Sequence, residues 1–546
     1  MRYFKEKDSD TNTIPNRKCI KSRTTLQVIK ETFYEYFEES SIHGFRYIGE
    51  KRPAFDRIIW LIAVILSFLT CSYLIKNIWE KRSNEPVIVS FNEKLTPVWE
   101  IPFPAVTICA ETKSHTKLFN FTEIYWKISD NKNITEDKKY NWEAISQICR
   151  PRLEMHSFGR HFANAPDLIM AMLKLAPIFN ETMNDCYWKH TNFECDEYFD
   201  YTLTDEGICY SFNSLKSAHY RTELYNSRRK EFIGYKFDND RNLDWDLENG
   251  YNKQANEETF PKRVLGDGEL ESLILFITDS KQNNEFMCRN GVHGFKIILH
   301  TPGEEPNVSK KFVSIPFDQT AVITINPQIV STSDGLEDYH PEKRQCYYQN
   351  ERYLRYFTVY TQVNCELECL ANQTLAKCGC VKFSMPRNSS HPVCGAASLK
   401  CLDDVIKNSN TVKFQQRNIP NQNNDFSNFC HCLPTCFEVE YKAEVEHQVD
   451  INVMETATAF REEDLDFLLE NRVTQIHIYF KADVFNGLKR SELYSETDFI
   501  ANCGGLLGLF MGFSTLSLVE LVYFFTIRLW KNLKTRKINL RKELKK

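Results

Sequence analysis

One apolar stretch near the end of the chain, residues 499–527, carries oxygen-bearing groups that could bind a cation. Gly512 and Ser514 tolerate a break in a helix, and the carbonyls freed by a break are permissible at membrane depth only where they line water or protein. Such oxygens can replace part of an ion's hydration shell. Glu520 is the only charge in the stretch, and a carboxylate there costs about 3 kcal/mol unless it meets water or a partner. The pattern favours a water-lined ion path; the alternative for Glu520 is a side chain that reaches the inner interface.

Three glycines of the same stretch, Gly504, Gly508 and Gly512, recur at every fourth position. A stripe of small residues at this spacing lets helix backbones approach closely. Plain helix packing is therefore a second interpretation of the glycines, and the stripe alone does not decide between them.

Sixteen of the nineteen cysteines lie between Cys109 and Cys436. An even set confined to one segment is typical of a disulfide framework in an oxidising compartment. The competing interpretation is a zinc site formed by the Cys-Gly-Cys triplet at 378–380 or the Cys-His-Cys triplet at 430–432.

Two segments carry closely spaced cysteines. Cys365 and Cys369 are four residues apart on a predicted helix, so both project from one face. A return segment with Cys430, Cys432 and Cys436 would be bridged to that helix in nested order. Spacing alone does not fix connectivity, but the nested order predicts the pairs Cys378–Cys401, Cys380–Cys394, Cys369–Cys430, Cys365–Cys432 and Cys346–Cys436.

Two apolar stretches must position these groups. Residues 58–75 contain no charge, and eighteen residues are about enough to cross a hydrocarbon core of about 30 Å. Residues 1–57 hold 12 Lys+Arg against 9 Asp+Glu, residues 528–546 hold 9 against 1, and the middle holds 47 against 63. Basic ends and an acidic middle fit the positive-inside rule.

We therefore expect an α+β membrane protein in which two transmembrane helices flank a large disulfide-rich ectodomain. The expected parts are a cytoplasmic N-terminus at 1–57, a first transmembrane helix at 58–79, an extracellular domain at 80–498, a second transmembrane helix at 499–527 and a basic cytoplasmic tail at 528–546.

Periodicity predicts a mixed fold for the middle part. Strands are expected at 105–109, 295–300, 321–325 and 473–480, and helices at 165–179 and 360–376. Candidate N-glycosylation sites in this part are Asn120, Asn133, Asn180, Asn307, Asn372 and Asn388.

Several motifs together resemble one family. They are His43-Gly44, PFPAVTIC at 102–109, GICYSFN at 207–213, YTQVNCELEC at 360–369, CHCLPTC at 430–436 and GGLLGLFMGFS at 504–514. In this order they resemble the degenerin/epithelial sodium channel superfamily. The sequences of residues 341–401 and 504–525 are most similar to those of the insect pickpocket branch. The resemblance runs from about His43 to Phe525.

The resemblance implies a voltage-independent, amiloride-sensitive, sodium-selective channel of the plasma membrane with both termini cytoplasmic, assembled as a homotrimer or a heterotrimer with related subunits. Its partners are sodium ions and membrane lipid, with no nucleic acid and no cofactor, and its stimulus is an extracellular chemical or a mechanical force. Its ectodomain is expected to form a palm, β-ball, finger, knuckle and thumb. The implied functional residues are Gly512, Phe513 and Ser514 as selectivity filter, Glu520 and Gly508 in the pore, and His43, Gly44 and Ala501 in gating.

The family pattern also supports the nested bridges and adds Cys109–Cys209 and Cys186–Cys195, which leaves Cys149 and Cys288 as the remaining pair. One position departs from many relatives: Lys343 stands where they carry a tryptophan before the first thumb cysteine. On the other side of that contact, Trp79 and Trp99 are the candidates. Proton sensing is not carried over, although Asp403 and Asp404 follow Cys401.

Other classes share parts of this pattern. A trimeric ATP-gated channel also has two crossings and a cysteine-rich loop, but its motifs are absent. A two-crossing receptor or scavenger/adhesion protein without a pore would not need the glycine stripe, the Gly-Phe-Ser segment and a lone glutamate in one helix. We find no nucleophile elbow or phosphate loop in the sequence, and we expect no enzyme.

Overall fold

The computed structural model describes residues 25–50, 52–149, 167–226, 243–252, 259–283, 285, 287–289, 291–418, 430–451 and 469–543. The chain separates into two compact units, one formed by Met1–Pro86 with Glu492–Lys546 and the other by Val87–Ser491. Cys19 and the first two residues of the helix predicted at 165–179 lie outside the described residues.

Both units contain α-helices. In chain order they are α1 (Thr25–Glu39), α2 (Phe45–Gly49), α3 (Ala54–Asn84), α4 (Phe121–Ser129), α5 (Glu136–Ser146), α6 (Leu168–Leu175), α7 (Phe179–Thr182), α8 (Cys195–Tyr198), α9 (Ser217–Tyr220), α10 (Glu223–Asn226), α11 (Pro341–Arg344), α12 (Gln362–Cys378), α13 (Leu399–Asn418), α14 (Glu496–Met511), α15 (Thr515–Tyr523) and α16 (Leu529–Glu543). One π-helical turn, Phe524–Arg528, joins α15 to α16.

The strands form two large sheets and one small hairpin. In chain order they are β1 (Val87–Pro97), β2 (Ala105–Ala110), β3 (Met183–Trp188), β4 (Thr191–Phe193), β5 (Phe199–Thr204), β6 (Gly207–Phe212), β7 (Trp245–Asp246), β8 (Gly250–Tyr251), β9 (Leu273–Ser280), β10 (Phe295–His300), β11 (Val313–Ile315), β12 (Gln319–Thr332), β13 (Glu438–Asp450), β14 (Asn471–Phe480) and β15 (Val484–Glu492). The eight-stranded sheet has the order β1-β15-β12-β14-β9-β3-β4 with β13 added on β12, and the five-stranded sheet has the order β11-β10-β2-β6-β5.

The two sheets share one hydrophobic core. Ile108 and Ile297 of the five-stranded sheet belong to the same buried cluster as Ile323 and Ile476 of the eight-stranded sheet. In β14 every second residue from Thr474 onward is buried, which is the period-2 pattern expected when one face of a strand covers a core. Burial of this shared core stabilises the unit Val87–Ser491.

Most of the predicted elements are present, with changed boundaries. The run at 295–300 is β10 with the same bounds, and all six of its residues are buried. The helix predicted at 165–179 is wrong as one element, because α6 ends at Leu175 and α7 begins at Phe179. Pro177 lies between them, and the residue before a proline is disfavoured in helical conformation. The helix predicted at 360–376 is α12, which ends at Cys378 and is capped by Gly379 with a φ of 70°.

The sixteen cysteines of the larger unit form eight disulfides. The bridges of the helix and its return segment are Cys346–Cys436, Cys365–Cys432, Cys369–Cys430, Cys378–Cys401 and Cys380–Cys394, and the others are Cys109–Cys209, Cys149–Cys288 and Cys186–Cys195. These are the pairs that spacing and the family resemblance predict. The cysteines of both candidate zinc triplets are therefore oxidised, and they supply no thiolate ligand.

The smaller unit contains the apolar helices. Helix α3 is long and apolar enough to cross a membrane, and it extends beyond the predicted span at both ends. The second apolar stretch differs from the single long helix expected, because α14 and the helix that follows it meet at a bend of 71°. By length and composition, the described residues thus allow one crossing, or two when the bent pair is counted as one span.

Candidate functional site

The bend in the second apolar stretch occurs at the predicted filter residues. Helix α14 ends at Met511, and Gly512 adopts a left-handed conformation with a φ of 62°. The amide of Gly512 donates to the carbonyl of Gly508 (2.9 Å), and the amide of Phe513 donates to that of Leu507 (3.2 Å). The bond from Gly512 to Gly508 is that of an αL helix ending, for which glycine is the preferred residue. The sequence thus ends one helix locally, in the middle of an apolar run.

A new helix begins immediately after the break. Ser514 is the N-cap of α15, and its hydroxyl accepts a hydrogen bond from the backbone amide of Ser517. The hydroxyl of Ser517 in turn accepts from the Ser514 amide at 3.2 Å. Reciprocal capping of this kind satisfies amides that have no partner within the helix. The non-helical gap is therefore limited to Gly512, Phe513 and Ser514.

Two carbonyls at the end of α14 are bound by other parts of the smaller unit. The hydroxyl of Ser67 in α3 donates to the carbonyl of Phe510 at 2.8 Å. The backbone amide of His43 donates to the carbonyl of Met511 at 2.9 Å. Hydrogen bonds to both carbonyls fix the broken end of α14, because a carbonyl left unpaired in apolar surroundings is costly.

The His-Gly motif contacts the break directly. A Cβ placed on Gly512 would lie 2.6 Å from Nδ1 of His43, which shows how closely the imidazole covers this glycine. Gly44 has a φ of +86°, and a Cβ there would lie 2.6 Å from Cγ2 of Val64. The structure thus brings together three residues that the sequence analysis selected separately, His43, Gly44 and Gly512.

Glu520 lies on α15 and has a partner from the N-terminal segment. Its Oε2 accepts the hydroxyl proton of Ser41 at 2.6 Å and the Ser41 amide proton at 3.2 Å. The Ser41 hydroxyl is also 2.9 Å from the hydroxyl of Ser517. Sequence reasoning missed Ser41, since a serine two residues before His43 carries no signal that it will meet residue 520.

The other two candidates on α14 differ in exposure, and Gly508 is half-buried in the single chain. Ala501 is exposed. A Cβ on Gly508 would lie 3.9 Å from the carbonyl oxygen of Phe513, and a Cβ on Gly504 would meet no described atom within 4 Å. Within one chain, therefore, the described contacts do not explain the glycine stripe by packing against α3.

Aromatic and charged contacts join the C-terminal end of α3 to the N-terminal end of α14. The rings of Trp79 and Phe499 are 5.6 Å apart, and the guanidinium of Arg82 lies 5.2 Å from the Phe499 ring. Arg82 also pairs with Glu496 at 3.9 Å. Trp79, a candidate for the thumb contact, thus packs on a residue of its own unit.

The N-terminal helix α1 lies along the opposite end of the second stretch. The ring of Tyr36 is 5.5 Å from that of Phe524 and 5.3 Å from that of Phe525. Glu35 forms an ion pair with Arg528. Residues 35–43 therefore contact the second stretch from the π-helical turn up to the break.

The six candidate glycosylation sites all lie in the larger unit. Asn133, Asn180 and Asn372 are exposed, whereas Asn120, Asn307 and Asn388 are half-buried. The Asn120 side chain caps α4 by accepting from the amide of Glu123 at 2.8 Å.

Comparison with known proteins identifies the family. The profile described as "Amiloride-sensitive sodium channel" matches residues 36–524. The chain belongs to this family. It is 26% identical to Pickpocket protein 28 of Drosophila melanogaster over 96% of the chain and 81% of that protein. It is 23% identical to the sodium channel protein Nach of the same species, over 95% of the chain and 91% of that protein.

A vertebrate relative is more distant. The bile acid-sensitive ion channel of Rattus norvegicus is 22% identical over 92% of the chain and 89% of that protein. The chain thus falls in the insect pickpocket branch of the degenerin/epithelial sodium channel superfamily. Members of this family are membrane-bound ion channels and not enzymes, and this chain is a cation channel subunit of the same kind.

Proposed function

We propose that this chain is one subunit of a trimeric, voltage-independent, amiloride-sensitive and sodium-selective channel of the plasma membrane. An extracellular chemical or mechanical stimulus opens it. The observation that carries the proposal is the break at Gly512, Phe513 and Ser514, which lies against His43 in a chain of this family.

The proposed topology follows from the apolar helices and the charge distribution. Residues 1–57 and 528–546 are cytoplasmic, 58–79 and 499–527 cross the membrane, and 80–498 are extracellular. Eight disulfides in the larger unit support the extracellular assignment, because such bridges persist in oxidising compartments. The larger unit would then hold the palm, β-ball, finger, knuckle and thumb, with residues 112–290 as the finger and β-ball that receive the stimulus.

Ion selection would take place at the break. Three copies of the gap, one from each subunit, would present backbone and hydroxyl oxygens of Gly512 and Ser514 toward a common axis. A ring of such oxygens replaces part of the hydration shell of an ion, and its size and field distinguish sodium from potassium. Phe513 would face away from the ion.

Glu520 would add negative charge below the filter. A ring of three carboxylates concentrates cations at the inner mouth. The hydrogen bonds from Ser41 hold each carboxylate without neutralising it. The Glu520 carboxylate would then accept hydrogen bonds from Ser41 and still attract cations.

Recording from cells that express the chain tests this proposal. We expect Ser514→Cys to change the sodium-to-potassium permeability ratio while the channel still reaches the surface. Ser90→Cys, at an exposed position of β1, is the matched control and should leave the ratio unchanged. An unaltered ratio in conducting Ser514→Cys channels would remove this segment from the filter. A parent chain that stays silent alone at the surface but conducts beside a related subunit would indicate a heterotrimer.

A further inference from the structure

Three serine hydroxyls connect the break in the second apolar stretch to Glu520. Oγ of Ser514, in the break, lies 3.2 Å from Oγ of Ser517, which in turn lies 2.9 Å from Oγ of Ser41. Oγ of Ser41 lies 2.6 Å from Oε2 of Glu520. The two shorter contacts are ordinary hydrogen bonds between oxygen atoms, and the third is slightly longer. We call the three serines the hydroxyl chain.

The carboxylate at one end of the hydroxyl chain fixes the direction of the first bond. An ionised carboxylate has no proton to donate, so Ser41 is the donor toward Glu520. The backbone amide of Ser41 also donates to the same oxygen, at 3.2 Å. A serine hydroxyl carries one proton and two lone pairs. The only hydroxyl proton of Ser41 is thus committed to Glu520, and Ser41 must accept in its contact with Ser517.

The same proton count fixes the next bond. Ser517 gives its proton to Ser41 and has only lone pairs left for Ser514. One lone pair accepts the backbone amide proton of Ser514 at 3.2 Å, and the other accepts the Ser514 hydroxyl proton. Ser517 is 1% exposed, so water has little access to these positions. Every hydroxyl proton of the chain therefore points toward Glu520.

The Ser514 hydroxyl receives its orientation from this chain. Its proton is directed at Ser517, and one of its lone pairs accepts the backbone amide proton of Ser517 at 3.2 Å. Ser514 is exposed in the single chain, so its second lone pair is the part that it offers to the open side of the break. Lone pairs attract a cation and a hydroxyl proton repels it, so this orientation suits an oxygen ligand of a cation.

We propose that Ser41 and Ser517 are positioning residues for ion selection, which relay the direction set by Glu520 to the Ser514 hydroxyl. The inference rests on the proposed filter at the break, and it adds the reason why the serine oxygen, and not its proton, faces the ion. Glu520 would then have two separable roles. Its charge attracts cations, and its acceptor oxygen sets the direction of the hydroxyl chain.

The test is the sodium-to-potassium permeability ratio, measured from reversal potentials in cells that express the full-length chain. Ser517→Ala removes the middle of the hydroxyl chain, so the Ser514 hydroxyl is free to turn its proton toward the ion. We expect the ratio to fall by about fivefold, the equivalent of one ordinary hydrogen bond. Ser517→Thr keeps a hydroxyl at this position and should restore most of the parent ratio.

Thr526→Val is the matched control for the loss of a hydroxyl from the same stretch. Thr526 donates its hydroxyl proton to the carbonyl of Val522, four residues earlier. The described residues show no contact between Thr526 and the hydroxyl chain. The permeability ratio of Thr526→Val should equal that of the parent channel.

Glu520→Gln separates the charge of residue 520 from its acceptor oxygen. The Ser41 amide can only donate, so it selects the carboxamide oxygen, which then also accepts the Ser41 hydroxyl proton. The charge is lost and the direction of the hydroxyl chain is kept. We expect lower single-channel conductance with the parent permeability ratio, whereas Ser41→Ala and Ser517→Ala should lower the ratio although the charge is still present.

Ser41→Ala keeps the test decisive if Ser517→Ala fails to reach the surface, because Ser41 is exposed. A parent ratio in conducting Ser41→Ala channels, while Ser514→Cys alters the ratio, would overturn the relay and leave the proposed filter in place. An equal fall in Ser517→Thr and Ser517→Ala would also overturn it, since the hydroxyl would not matter. A parent ratio in Ser514→Cys channels would instead remove the proposed filter, and the relay with it.

Discussion

Ser41 donates its hydroxyl proton to the carboxylate of Glu520 across 2.6 Å, although 479 positions of sequence separate the two residues. The contact ties the segment before the first apolar helix to the only charge of the second stretch. The Ser41 side chain thereby fixes the orientation of the Glu520 carboxylate.

The first prediction concerns this pair. Glu520→Gln should lower single-channel conductance, because a ring of three charges is lost. Ser41→Ala should also change conductance, since the carboxylate loses the hydroxyl donor and keeps only the amide of residue 41. Residues in one hydrogen-bond network are coupled, so the double variant should show less than the sum of the two effects.

The neighbouring Ser40→Ala provides the control for Ser41, because Ser40 accepts a hydrogen bond from the amide of Ile42 and has no described contact with Glu520. Strictly additive effects in the double variant would mean that Ser41 does not act through Glu520.

The second prediction concerns the break at Gly512. An alanine there meets two penalties, about 1 kcal/mol for the left-handed backbone and a close contact of its Cβ with the His43 ring. Gly512→Ala should therefore reduce current strongly at equal surface expression, and adding His43→Ala should restore part of it by removing the contact.

Gly504→Ala serves as the matched control, since its Cβ would meet no described atom within 4 Å in the chain. If Gly512→Ala conducts like the parent channel, neither the backbone conformation nor the imidazole contact matters for permeation.

A third prediction concerns gating at Ala501, which is exposed on α14 of the single chain. If three such helices converge above the filter, a larger side chain must be expelled from the closed arrangement and accepted by the open one. Overpacking of about 1–3 kcal/mol would change the open-to-closed ratio by about 5- to 150-fold. Ala501→Val should give an unstimulated sodium current that amiloride reduces.

Ile500→Phe tests whether any enlargement at this level has the same effect, since Ile500 is 69% exposed on the adjacent position. The contrary result is an Ala501→Phe channel that reaches the surface and carries no current at rest, while the parent channel opens to its stimulus. That result would show that residue 501 does not control gating.

The fourth prediction is a pH dependence of stability from Asp279. Burial raises the pKa of Asp279 to about 6, against the opposing effect of hydrogen bonds from Asn283 and Thr112. Because this pKa lies above the unfolded value of 3.8, the stability from the protonated group is present below pH about 4. It is lost as pH rises through about 6. At neutral pH the buried carboxylate costs up to about 3 kcal/mol.

Asp279→Asn should accordingly raise the Tm of the purified chain at pH 7.5 and change it little at pH 4. Asp338→Asn, at an exposed position, should be neutral at both values. A lower Tm of Asp279→Asn at pH 7.5 would show that the charged carboxylate stabilises the fold through its hydrogen bonds.

The local part of this architecture was predictable from the sequence. The apolar run at 295–300 became β10 without a change of bounds, because a short continuous run of this kind suits a strand buried on both faces. The helix at 165–179 was not predictable as one piece, since a single proline inside an otherwise periodic segment ended it. Nested cysteine order predicted five of the eight disulfide pairs, and the family resemblance added two and left Cys149 and Cys288 as the last.

The sequence by itself determined the apolar spans, the cysteine framework and the residues at which a helix can break, because each is encoded by neighbouring residues. Only the tertiary structure decided that His43 covers Gly512, that Ser41 binds Glu520, and that Lys113, Arg289 and Lys296 meet at the buried Glu206. These contacts join residues far apart in the chain, and no local period or spacing specifies which distant side chain will supply the partner.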